Sequence, residues 1–271
     1  MIQRPLGATG LSVPAVGMGT WRTFDVRGEA AEANCRAVLD AAYATGATLF
    51  DTSPMYGDAE PVLARAMGAR RGDALVADKV WTSDDREAAA QVERALAWYG
   101  GRVDIYQVHN LVALDARLET LERLRDEGKV RVVGATHYQH AAFPALVRLM
   151  RSGRVGMVQV PYNVADRAVE QAVLPAAADH GVGVLVMRPL GEGRLARLRV
   201  SEADLAPLRA HGITTWAQAL LAWILADERV SCVIPATSRP ERMRENALAA
   251  DVPRLDDALR EHVARVAARA G

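Results

Sequence analysis

The sequence predicts an α/β chain closed into a (β/α)8 barrel, the TIM-barrel class, with an N-terminal β-hairpin cap and an extra C-terminal helix. Eight short apolar or β-branched runs alternate with Ala/Leu/Arg-rich stretches of helical period. The connections between them are short, and no Gly-rich first turn marks a doubly wound sheet. A length of 271 residues is ordinary for one such barrel, so 1–271 is expected to form a single domain.

The elements follow in order. Gln3–Val16 carries Gly7, Gly10 and Pro14 and reads as a hairpin over the barrel bottom. Strands are expected at Val16–Thr20, Thr48–Asp51, Ala74–Lys79, Asp104–His109, Val130–Ala135, Met157–Pro161, Gly183–Arg188 and Cys232–Pro235. Helices are expected at Ala30–Thr45, Arg86–Trp98, Leu118–Glu127, Ala142–Arg151, Glu170–His180, Thr215–Ala226 and Pro240–Ala249, with a last amphipathic one at Leu255–Ala268. The Arg-rich stretch Leu195–Gly212 fits neither pattern and reads as an insertion.

Lys plus Arg and Asp plus Glu both number 33, so no electrostatic ground exists for a nucleic acid or an anionic membrane as partner. A small or neutral molecule is expected instead, and the oligomeric state stays open. With no apolar stretch long enough for a secretion signal or a bilayer span, a cytoplasmic location is expected. Cys35 and Cys232 have neither metal-ligand spacing nor a disulfide framework, so they read as buried thiols, and no metal site is expected.

In a βα barrel the chemistry sits where strands end at the carboxyl rim. Asp51 ends the second strand, Tyr56 follows in its loop, Lys79 ends the third and His109 the fourth. Singly, Asp51 reads as a turn cap, Tyr56 as a loop aromatic and His109 as a core histidine. Lys79 resists that reading, because the chain has only one other lysine, Lys129, among its 33 Lys and Arg. A lysine is a compact point charge beside a phenol and a carboxylate, and a nearby cation lowers a phenol's pKa. Together the four form a chain in which Asp51 pairs with Lys79, Lys79 tunes Tyr56, Tyr56 gives up a proton and His109 orients a carbonyl.

Those four residues, with "LGATGLSVPAVGMGTW" at one end and "IPATSRPERMREN" at the other, make the chain resemble the aldo-keto reductases over essentially its whole length. The resemblance implies hydride transfer between a nicotinamide and a carbonyl carbon, with Asp51, Tyr56, Lys79 and His109 as the catalytic tetrad. It further implies that Gln159, Thr136 and His137 contact the carboxamide, although Thr and His stand where the family commonly has Ser and Asn. Met187 stands where the family often stacks an aromatic ring on the nicotinamide. Arg188 and Leu190 line the loop near the pyrophosphate, and Trp21 and Trp81 wall the substrate pocket or else pack in the core.

The resemblance also places Thr237, Ser238 and Arg242 around the 2′-phosphate, and Glu245 and Asn246 around the adenine. Ser238 and Glu241 read as a capping box opening the next helix. NADPH is the implied cofactor, with NADH possible because Ala236 replaces the usual lysine. Two other functions compete with reduction of aldehydes or ketones. One is a regulatory or sensor protein that binds nicotinamide with weak turnover; the other is a Schiff-base aldolase using Lys79.

Overall fold

The computed structural model describes residues 1–271. Strands β1 (Gln3–Pro5) and β2 (Ser12–Pro14) pair antiparallel as the expected hairpin. Eight further strands form one parallel sheet in chain order: β3 (Met18–Gly19), β4 (Leu49–Asp51), β5 (Leu75–Val80), β6 (Val103–His109), β7 (Val130–Thr136), β8 (Met157–Pro161), β9 (Gly183–Met187) and β10 (Cys232–Val233). Single bridges Val16↔Val233 and Gly19↔Ala236 bring β3 against β10 and close the barrel. β10 is shorter than Cys232–Pro235 because a proline at its end has no N–H for a ladder.

Helices α1 (Glu29–Thr45), α2 (Ala59–Met67), α3 (Asp85–Trp98), α4 (Leu114–Asp126), α5 (Phe143–Arg151), α6 (Val173–Asp179), α7 (Glu202–Arg209), α8 (Trp216–Leu225), α9 (Pro240–Leu248) and α10 (Asp257–Ala270) surround the sheet. The Glu170–His180 expectation shrinks to α6 plus a 3-10 turn at Ala168–Glu170. Pro175 lies in the first turn of α6, where its missing N–H costs nothing. The Leu195–Gly212 stretch, which reads as an insertion, holds a 3-10 turn at Leu195–Arg197 and then α7, opened by a Ser201–Asp204 capping box.

The hairpin seals the amino end of the barrel. Leu6, Leu11 and Val13 join Leu49, Ala77, Ile105, Val132, Met157, Leu185 and Cys232 in a buried interior cluster. Ala8 N donates to Gly181 O at 2.7 Å. A Cβ at Gly7, where φ is +55°, would lie 2.3 Å from Gly181 O, so only glycine lets the hairpin come this close. The opposite, carboxyl end is left for the site.

Candidate active site

Strand ends bring the four expected residues together. Asp51 closes β4, Lys79 lies one residue inside the end of β5, and His109 closes β6. Lys79 Nζ donates to Asp51 Oδ1 at 2.8 Å and to the Thr52 carbonyl at 2.7 Å. Both side chains are out of water. Burial works against the Lys79 charge, but Asp51 and Tyr56 outweigh it and leave the ammonium pKa raised.

Tyr56 is carried by a 3-10 turn, Pro54–Tyr56, whose N-cap is Ser53: the serine Oγ accepts from Met55 N at 3.2 Å. Lys79 Nζ stands 5.2 Å from the centre of the Tyr56 ring. The expectation that the cation draws the phenol's pKa down needs correction. Burial pushes it up, Lys79 only partly pulls it back, and the net direction is up. The Tyr56 and His109 rings meet edge to face, with centroids 5.9 Å apart. Burial, then Lys79 and His137, lower the His109 pKa to about 3, so its imidazole is neutral at physiological pH. Its Nδ1 lies 2.7 Å from Ser53 Oγ.

Beside the tetrad, register pairs His109 with Thr136 and Thr136 with Gln159. Gln159 Nε2 donates to Asp51 Oδ1 at 3.1 Å, while its buried Oε1 has no partner. A primary carboxamide would satisfy that oxygen, so the residues present fit a nicotinamide. The Thr136 hydroxyl is already committed, donating to Gln159 O at 3.0 Å, and is no free donor. His137 stacks on Tyr138, its Nδ1 accepting from Gln139 N at 3.1 Å.

The family model for the aldo/keto reductase family matches residues 15–267. The chain belongs to the aldo/keto reductase family. Among curated relatives, methylglyoxal reductase YeaE of Escherichia coli is 30% identical over 89% of this chain and 87% of its own. The NADH-specific methylglyoxal reductase of E. coli is 24% identical over 94% of each chain. The crystal structure of an aldo/keto reductase from Klebsiella pneumoniae in complex with NADP and acetate superposes with a TM-score of 0.82. That pair is 28% identical and covers 98% of this chain and 95% of the other. The protein is therefore an oxidoreductase that uses a nicotinamide cofactor.

In this reductase Met187 is half-buried at the end of β9 and packs on the interior cluster. Arg188 has a positive φ of 52°, pairs with Glu192 at 3.3 Å and lies over the Tyr138 ring at 4.9 Å. Leu190 is half-buried against the main core. At the start of α9 the capping box is absent. Pro240 takes the first helical position and makes Arg239 the N-cap, so Ser238 sits one residue too early and is exposed. Thr237 Oγ1 instead accepts from Arg239 N at 3.1 Å, and the Ser238 carbonyl accepts from Asn34 Nδ2 at 2.9 Å. Arg242 is exposed and joins no ion pair. Glu245 accepts from Thr215 Oγ1 at 2.6 Å, tying α9 to the cap of α8, and Asn246 is buried.

Trp81 is 40% exposed, its ring 6.4 Å from that of His109, and so lies at the mouth, outside the core. Trp21 is half-buried under the Arg22 guanidinium at 4.1 Å. A cavity of about 590 Å³ opens beside Trp81 between α2 and α3, lined also by Glu60 and Arg94 but by neither Tyr56 nor His109. It adjoins the reductase mouth without being the tetrad's own space.

Four residues near the tetrad were not expected from the sequence. Ser53 lies between Asp51 and Tyr56 in the sequence and contacts His109 directly. Gln107, 3.5 Å from Asp51 Oδ1, is two residues before His109, and the strand period of two was the signal that it shares the inward face. Glu60 and Asp78 are both buried, and the pKa of each carboxyl is pushed up chiefly by burial and, for Glu60, next by the Asp78 charge. Nothing in their sequence spacing marks that burial.

No helix is long and apolar enough to cross a membrane.

Proposed function

We propose that the protein reduces aldehydes or ketones to alcohols, with Tyr56 as proton donor and Asp51, Lys79 and His109 as its partners. A reduced nicotinamide supplies the hydride when bound. The carbonyl oxygen gains negative charge as its carbon is reduced, and the Tyr56 hydroxyl hands that oxygen a proton. Lys79, held charged by Asp51, favours the phenolate that remains. Neutral His109 fixes the carbonyl oxygen by a hydrogen bond without competing as an acid.

The observation that carries this reading is the buried Lys79 ammonium, bound to Asp51 and Thr52 on one side and 5.2 Å from the Tyr56 ring on the other. It also argues against a Schiff-base aldolase, whose lysine must be free and uncharged to attack. Gln159 would hold the carboxamide through its unpartnered Oε1, and Arg242 would meet a 2′-phosphate, which supports NADPH with NADH also usable.

Trp81 at the mouth supports aromatic or medium-chain aldehydes over highly hydroxylated sugars. The relatives' names add methylglyoxal to the panel. Nicotinamide oxidation followed by absorbance, with that panel and both cofactors, tests the reading. Tight cofactor binding beside negligible reduction of every carbonyl would overturn it in favour of a sensor.

A further inference from the structure

We propose that the Ser53 hydroxyl is a positioning group that fixes the tautomer of His109, so that the histidine presents Nε2–H to the barrel mouth. The inference rests on the reading of His109 as the group that orients the carbonyl, and it deepens that reading.

It follows from counting protons. Ser53 Oγ lies 2.7 Å from His109 Nδ1 and already accepts from Met55 N at 3.2 Å. A hydroxyl has one proton and two acceptor positions, and a neutral imidazole has one donor and one acceptor nitrogen. If Nδ1 carried the ring proton, Ser53 Oγ would accept twice, and its own proton would be buried with no acceptor in the protein. Ser53 is fully buried, so such an unmade bond is costly. If Ser53 donates to Nδ1, its hydroxyl and Nδ1 are both satisfied, and the ring proton must sit on Nε2.

The rest of the histidine's surroundings agree. Tyr56 and Trp81 meet the ring at 5.9 and 6.4 Å between centroids, and Nε2 makes no hydrogen bond within the protein. Nothing competes with Ser53 for control of the proton. The same hydroxyl is the N-cap of the turn that carries Tyr56, in extended backbone at φ −169°, ψ 147°. One side chain thus sets the orientation of the two groups that share the carbonyl oxygen.

The test is the 15N spectrum of histidine-labelled protein near pH 7, with His109→Gln used to assign the His109 signals among the six histidines. The expected result is a protonated Nε2 and a bare Nδ1 in the unmodified protein. Ser53→Ala should lose that preference and lower kcat about tenfold or more, and Ser53→Thr should restore both. A protonated Nδ1 in the unmodified protein overturns the proposal even if Ser53→Ala does not fold. So does an unchanged tautomer in a folded Ser53→Ala. If the tautomer moves as expected while neither Ser53→Ala nor His109→Gln slows turnover, the Ser53 assignment stands and the carbonyl-orienting role of His109 falls.

Discussion

Lys79 Nζ donates to Asp51 Oδ1 at 2.8 Å, and neither side chain has more than a few per cent of its surface in water. Removing one partner strands the other's charge, which costs roughly 3–5 kcal/mol, whereas removing both together costs far less. Lys79→Met should therefore lose most of that amount in urea unfolding. The Lys79→Met/Asp51→Asn double variant should be clearly more stable than the sum of its singles. Additive losses would show that the pair is not coupled.

Tyr56→Phe keeps the ring against His109 and deletes only the proton. Turnover should fall by at least roughly 10²-fold, with the cofactor dissociation constant little changed. Lys79→Arg separates charge from shape at the same place, because the planar guanidinium cannot occupy a point-charge site in the same way. Near-normal activity in that variant would mean that charge alone suffices.

Neutral His109 makes a statement about acid conditions. With a folded value near 3 against an ordinary 6.5, the unfolded chain takes the proton first as pH falls. The histidine's contribution to stability is complete above about 6.5 and drains away down to about 3. Urea midpoints should decline over that window, and His109→Gln should flatten the decline. Reduction, followed at pH 5 to 7, should show no inflection at the ordinary histidine value, since neither His109 nor the raised Tyr56 phenol titrates there.

Glu60 acts with the opposite sign. Its folded pKa is raised, so as pH climbs out of the carboxylate range the unfolded chain releases a proton that the folded chain keeps. Stability is full at acid pH and falls as pH rises through neutrality. Glu60→Gln, which is neutral at every pH, should be no less stable at pH 6 and more stable than the unmodified protein at pH 9. A variant that loses stability at both values would mean that Glu60 is folded as a carboxylate.

Arg242 is exposed and unpaired, so its guanidinium is available to an added anion. A hydrogen bond to a charged group contributes on the order of 1.5–3 kcal/mol, roughly tenfold or more in affinity. With alanine at 236, NADPH should be favoured only modestly, and Arg242→Ala should remove most of that preference. Dissociation constants for the two cofactors measured by fluorescence decide it: equal values in the unmodified protein exclude a role for Arg242.

The strand ends were legible because an apolar run that stops at a charged residue is a strong local signal. Asp51 and His109 close their strands as expected for that reason, and Lys79 falls one residue short of its strand's end. Short helices were not. α2 is nine residues between Asp58 and Gly68, and α7 contains Pro207, so neither offers a full periodic window. The capping box failed because Pro240 resets the helix start by one residue, which outweighs a favourable Ser–Glu spacing. The direction of the Tyr56 shift was unreadable, since it depends on how much water the fold removes from the phenol rather than on which cation stands nearby.

The hairpin packs on a barrel interior already filled by side chains from the strands, so no passage runs through the barrel from its amino end. Anything that reaches Asp51 or Gln159 arrives through the carboxyl rim and departs by the same doorway, past Trp81 and the Arg188–Glu192 pair.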